Sequence, residues 1–72
     1  MFVIQFSVDR RGDGIEKIYY IREEEGIGFV FVEYKDCVTH FPQHMLSGIV
    51  KEILVRVSRA NWTLKNITIS SA

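Results

Sequence analysis

One segment alone carries apolar residues at helical spacing. Leu46, Ile49, Val50, Ile53, Val57 and Ala60 recur three and four apart between Pro42 and Asn61. At ~100° per residue they form a single stripe. Most other apolar residues fall in strand-like stretches. A chain with one helix and several strands has one layer with which to cover its sheet. The opposite sheet face must then be polar or find another cover.

Phe2, Ile4, Phe6 and Val8 alternate with Val3, Gln5 and Ser7. That is the period of a strand with one clearly apolar face. Asp9-Arg10-Arg11-Gly12-Asp13-Gly14 follows and predicts a hairpin loop, because glycine accepts the positive backbone angles of tight turns. A second strand is predicted over residues 15–22. Ile15, Lys17, Tyr19 and Ile21 share one face, and Glu16, Ile18, Tyr20 and Arg22 share the other. Glu23-Glu24-Glu25-Gly26 predicts the next turn, extending through Gly28. A third strand is predicted over residues 29–34, with Phe29 and Phe31 on one side and Val30, Val32 and Tyr34 on the other.

Pro42 suits the first turn of the helix, where a missing N–H costs nothing. Gly48 offers an alternative helix start, with Ser47 as its cap. Glu52 and Arg56 lie four apart in the favourable order. Asn61 is suited to a left-handed stop. The β-branched content of this helix is high, so tertiary packing must hold it. The final strand spans residues 62–70. Trp62 and Leu64 have the opposite parity from Ile67 and Ile69, so a bulge is expected near Lys65-Asn66.

The expected fold class is α+β, in the order β-β-β-α-β, as a single domain over residues 1–72. An antiparallel three-stranded meander carries one helix on one face, with the fourth strand at a sheet edge. If that strand lies beside the first, the sheet order is 3-2-1-4 and those two strands run parallel. If it takes the other edge, it pairs with the third strand. A right-handed crossover is expected in either case.

Composition narrows the function classes. The chain has 72 residues, nine basic and nine acidic, so its net charge of zero argues against a generic polyanion binder. A single cysteine rules out an internal disulfide and a multi-cysteine zinc module. No apolar run reaches the ~18 residues of a membrane helix, and residues 1–6 do not resemble a signal peptide. The expectation is a cytoplasmic protein without membrane contact. Arg11-Gly12-Asp13, in this setting, is an ordinary turn rather than an adhesion signal. Asn61-Trp62-Thr63 and Asn66-Ile67-Thr68 match the glycosylation sequon but have no secretion signal to give it meaning.

Charge is unevenly placed. Residues 1–36 hold five basic and eight acidic groups, a net −3; residues 37–72 hold four basic and one acidic, a net +3. The halves can complement each other within the fold, or guide head-to-tail contact between copies.

Cys37, His40 and His44 have the spacing C-x2-H-x3-H, which supplies thiolate and imidazole ligands suited to zinc. A structural zinc site normally takes four ligands, and the second pair is missing, so neither metal nor cofactor is expected. Cys37 and His40 as nucleophile and base would also need an orienting third group and a cleft. The carboxylates at Asp13, Glu16 and Glu23 to Glu25 are read as solvated turn charges. Gly26-Ile27-Gly28 lacks the lysine and the strand-to-helix setting of a phosphate loop.

Two surfaces remain. Whichever way the second and third strands are registered, apolar side chains face away from the helix. The candidate interface set is therefore Ile18, Tyr19, Tyr20, Ile21, Phe29, Val30, Phe31 and Val32, with Val55 on the polar side of the helix. A domain this short gains only a few kcal/mol from its own core. Exposed patches of some hundreds of Å² usually mark interfaces. The expectation is a small non-catalytic interaction or regulatory protein acting as a homo-oligomer, a two-fold dimer in the commonest symmetry, with a further protein partner open. The alternatives are a strongly coiled sheet or a loop at residues 35–41 folded across the open face. The second functional reading is a nucleic-acid module. It would use Tyr19, Phe29 and Phe31 as stacking groups beside Arg10, Arg11, Lys17, Arg22 and Lys35.

Overall fold

The computed structural model describes residues 1–71. Strand β1 spans Phe2–Asp9, β2 Glu16–Glu24, β3 Gly28–Val32 and β4 Thr63–Ser71; helix α1 spans Leu46–Arg59. The four strands form one sheet in the order β3-β2-β1-β4, every neighbouring pair antiparallel. The α+β class and the sheet order agree with the sequence. The direction of β4 does not: it runs antiparallel to β1, not parallel.

The chain between β3 and α1 reverses that direction. β1 pairs with β2 only over Gln5–Asp9 and Glu16–Tyr20, after which the two strands part. The segment Thr39–Phe41 enters the gap. The Thr39 N–H donates to the Ile21 carbonyl at 3.2 Å, and Phe41 exchanges both backbone hydrogen bonds with Phe2 at 2.8 Å. The Glu23 N–H donates to Thr39 Oγ1 at 2.9 Å. The backbone groups of splayed strands need partners, and this short wedge supplies them. It also carries the chain back to the start of β1. Helix α1 then runs the length of the sheet, and β4 returns opposite to β1. Among the described residues no right-handed parallel crossover is formed.

Register settles which faces are apolar. Phe2, Ile4, Phe6 and Val8 of β1 are 2%, 0%, 1% and 0% exposed, and they share the core with Tyr19, Ile21, Phe41, Ile49, Ile53 and Val57. Phe29, Phe31, Leu64 and Ile67 pack against this core. The helix therefore covers the face that carries Tyr19 and Ile21. Ala60, the last residue of the predicted stripe, is exposed and caps the helix.

Local signals hold with small shifts. Pro42 precedes a 3-10 turn over Gln43–Met45, and the α-helix begins only at Leu46, with Gly48 inside it. Asn61 has φ 59°, the left-handed stop. The Trp62 N–H donates to the Val57 carbonyl and the Asn61 N–H to the Ser58 carbonyl, both at 3.1 Å, which satisfies two orphan helix carbonyls. Ser7 pairs with Asn66 while Val8 pairs with Leu64, so Lys65 is the extra residue of a bulge. β2 reaches Glu24, and β3 stops at Val32 before Tyr34.

An aromatic row closes one end of the core. Trp62 stacks on Tyr19 with centroids 5.6 Å apart and planes 3° apart, and Tyr19 stacks on Phe6 at 5.6 Å. The Arg10 guanidinium covers the outer Trp62 face at 4.8 Å and donates to Tyr19 Oη at 3.0 Å. The β1–β2 loop folds around Asp9. Its carboxylate accepts backbone N–H groups from Gly14 at 2.8 Å, Gly12 at 2.8 Å and Arg11 at 3.1 Å. Gly12 and Gly14 turn the chain at φ 74° and 83°.

Two predictions follow from this packing. Ile53→Ala removes a side chain 1% exposed beneath the centre of α1. Its expected cost is ~2–5 kcal/mol, which lowers the melting temperature by more than about 8 °C in a domain of this size. A thermal scan showing a shift of only a degree or two would refute the packing. For Asp9, the Gly14 N–H, with smaller help from Gly12 and Arg11, holds the carboxyl below the usual aspartate value against the opposing effect of burial. The ionised form is thus favoured in the fold. Its stabilisation is present above the unfolded pKa and is lost as pH falls through the lower folded value. Asp9→Asn is expected to be destabilised at neutral pH and to converge on wild type in acid. Parallel acid titrations followed by circular dichroism check this.

Candidate functional site: the open sheet face and the α1–β4 groove

The interface candidates divide between two faces. Tyr19 and Ile21 are buried beneath the helix, and Phe29 and Phe31 are packed against the same core. Tyr19 and Ile21 are therefore corrected from surface candidates to core residues, while Phe29 and Phe31 lie on the helix side, partly buried against that core. Cross-strand pairing puts Tyr20 opposite Val32 and Arg22 opposite Val30, on the face away from α1. Ile18 lies opposite Ser7 on that face and is 45% exposed; Tyr20, Val30 and Val32 are partly covered.

This open face is apolar on one half and polar on the other. Ile18, Tyr20, Val30 and Val32 stand on the β2–β3 half beside Arg22, while Gln5, Ser7, Asn66, Thr68 and Ser70 stand on the β1–β4 half beside Val3. The loop after β3 reaches its margin. Lys35, Val38 and His40 border a shallow hollow of about 290 Å³ with Val3, Gln5 and Tyr20. The loop at residues 35–41 thus covers part of the open face and leaves Ile18 bare. Val55 stands on the back of α1, half-buried and separate from this patch.

A second apolar surface escaped the sequence reading. Leu46, Val50 and Leu54 of α1 and Ile69 of β4 line an open groove between helix and edge strand. Leu54 is 49% and Ile69 47% exposed. Leu46 and Val50 belong to the helical stripe, but the stripe is wider than the sheet area beneath it. Leu54 stands one step beyond the stripe. The available signal was this excess width together with Ile69 on a final strand.

Of the aromatics of the nucleic-acid alternative, Tyr19 is buried, and Phe29 and Phe31 are partly buried against the core. Tyr19 is sandwiched between Trp62 and Phe6, and Phe31 meets Phe6 edge-on at 4.7 Å. Base stacking requires open ring faces, and these rings are engaged. Of the cations, Lys17 pairs with Glu33 at 3.0 Å, Arg22 pairs with Glu24, and Arg10 rests on Trp62. Arg11 and Lys35 are exposed on separate loops.

Cys37, His40 and His44 do not converge. His40 borders the hollow on the open face, whereas His44 lines the groove beside α1 on the opposite face. Cys37 is a half-buried free thiol at the end of a 3-10 turn. Among the described residues, no group of three His, Cys, Asp or Glu side chains is placed to hold a metal ion. No helix among them is long and apolar enough to cross a membrane. Untagged protein is expected to carry no stoichiometric zinc; elemental analysis finding about one zinc per chain would contradict this separation. No family model matches the chain, and no curated protein or solved structure shows significant similarity to it.

Proposed function

We propose that this is a small non-catalytic interaction or regulatory protein that acts as a homodimer, with cytoplasmic placement part of the same proposal. The observation that carries it is the division of apolar side chains. Among the described residues the core holds ten buried hydrophobic residues, while Ile18, Leu54 and Ile69 stand about half exposed on two sides of the sheet. Single exposed apolar residues are ordinary, but here they belong to patches with Tyr20, Val30, Val32, Leu46 and Val50. At ~25 cal/mol per Å², covering ~400 Å² of such surface per chain is worth on the order of 10 kcal/mol before the costs of association. The dispersal of Cys37, His40 and His44 also favours a binding role over a catalytic one.

Sedimentation equilibrium at micromolar concentration is expected to give twice the chain mass of 8.4 kDa. A monomer throughout the range would refute the dimer. Retention on polynucleotide that falls steeply with added salt would instead favour the nucleic-acid reading.

A further inference from the structure

We infer that the outer edge of β4, with the adjoining α1 groove, is the surface on which a second copy of this chain docks, continuing the sheet across a two-fold axis. This rests on the dimer proposed above and names its interface. The two edges of the sheet differ. β3 has only five residues, and the Arg56 guanidinium, held by Glu52 at 2.8 Å, donates to the Phe29 carbonyl. Short length and an occupied carbonyl blunt that edge. β4 has nine residues, is paired to β1 along its inner side, and has no strand on its outer side among the described residues. It contains no glycine or proline. Its one charge, Lys65, sits at the bulge, so Asn66–Ser71 is a regular, uncharged strip.

Geometry and charge favour a second copy as the occupant. A two-fold axis normal to the sheet pairs β4 with itself antiparallel and keeps both helices on one face. The same operation brings the two grooves together and covers Leu54 and Ile69 in each copy. The paired strip buries no carboxylate or ammonium, and Lys51 at the groove margin can keep its ammonium in water. A standard interface buries ~800 Å² per partner and ~20 residues a side. Nine strand residues with the groove-lining residues of the helix side approach that size.

The pairing has a discrete signature. Residues facing one another across antiparallel strands point to the same side. A two-fold normal to the sheet therefore sets one residue directly opposite its own copy. Two residues further along, equivalent positions are offset by roughly 13 Å along the strands, well beyond disulfide reach.

The test uses the full chain with Cys37→Ser and, in turn, Asn66→Cys, Ile67→Cys, Thr68→Cys, Ile69→Cys and Ser70→Cys. Under mild oxidation, a single position is expected to cross-link rapidly. Leu54→Glu, at a half-exposed site, is expected to keep the wild-type circular dichroism and weaken dimerisation at least tenfold. Ile18→Glu on the open face is expected to leave it unchanged. Association is expected to persist in 1 M salt, unlike head-to-tail attraction between the oppositely charged halves. A dimer that Ile18→Glu dissociates, with no cross-linking maximum on β4 and no effect of Leu54→Glu, would overturn this interface while leaving the dimer standing. A monomeric wild type would overturn both. A dimer dissociated by 1 M salt would also refute the uncharged edge contact.

Discussion

The contact between β1 and α1 is the interaction on which the remaining structure depends. β1 is paired on both sides, and its four helix-facing side chains are almost completely buried. Ile49, Ile53 and Val57 cover it from above. The helix is rich in β-branched residues and has a glycine in its first turns. Such a segment does not hold its shape in water unaided. Helix and strand thus stabilise each other: each supplies the apolar surface that the other must bury.

That dependence explains the wedge at residues 39–41. β2 and β1 diverge at one end, where Phe41 enters beside Phe2 and packs its ring against Phe2 and Phe29. The wedge repairs the backbone pairing and adds a buried aromatic to a small core. It also positions the start of α1, and through α1 the direction of β4. A local repair between two strands therefore determines which side of the sheet ends in a long edge.

The two edges show how the same helix can protect one side and leave the other open. Glu52 and Arg56 project toward β3, where Arg56 reaches Phe29 and lies over Phe31 at 5.5 Å. Leu46, Val50 and Leu54 project toward β4. The polar flank closes its edge with a hydrogen bond, whereas the apolar flank forms a groove. Among the described residues the ion pairs stay within the halves, Lys17–Glu33 and Arg22–Glu24 in the acidic one and Arg56–Glu52 in the basic one; Arg56 crosses between them only to the neutral Phe29 carbonyl.

Much of the fold was legible in residue order because it follows from local chemistry. Alternation in Phe2–Val8 marks the central strand, the 46–57 stripe marks the helix, Asn61 stops it, and the parity change before Ile67 requires the bulge. The site was less legible. Tyr19 with Ile21 and Ile18 with Tyr20 are equally apolar pairs, and no local preference distinguishes their faces; only the packing of Tyr19 between Phe6 and Trp62 does so. The course of β4 depends on Phe41 pairing with Phe2, a contact between residues distant in sequence. Sequence by itself determined the elements and the inner face of β1, because backbone geometry and side-chain period act over a few residues. Tertiary structure decided the outward face of β2 and β3, the direction of β4 and the open groove, because each depends on how separate segments share one limited apolar surface.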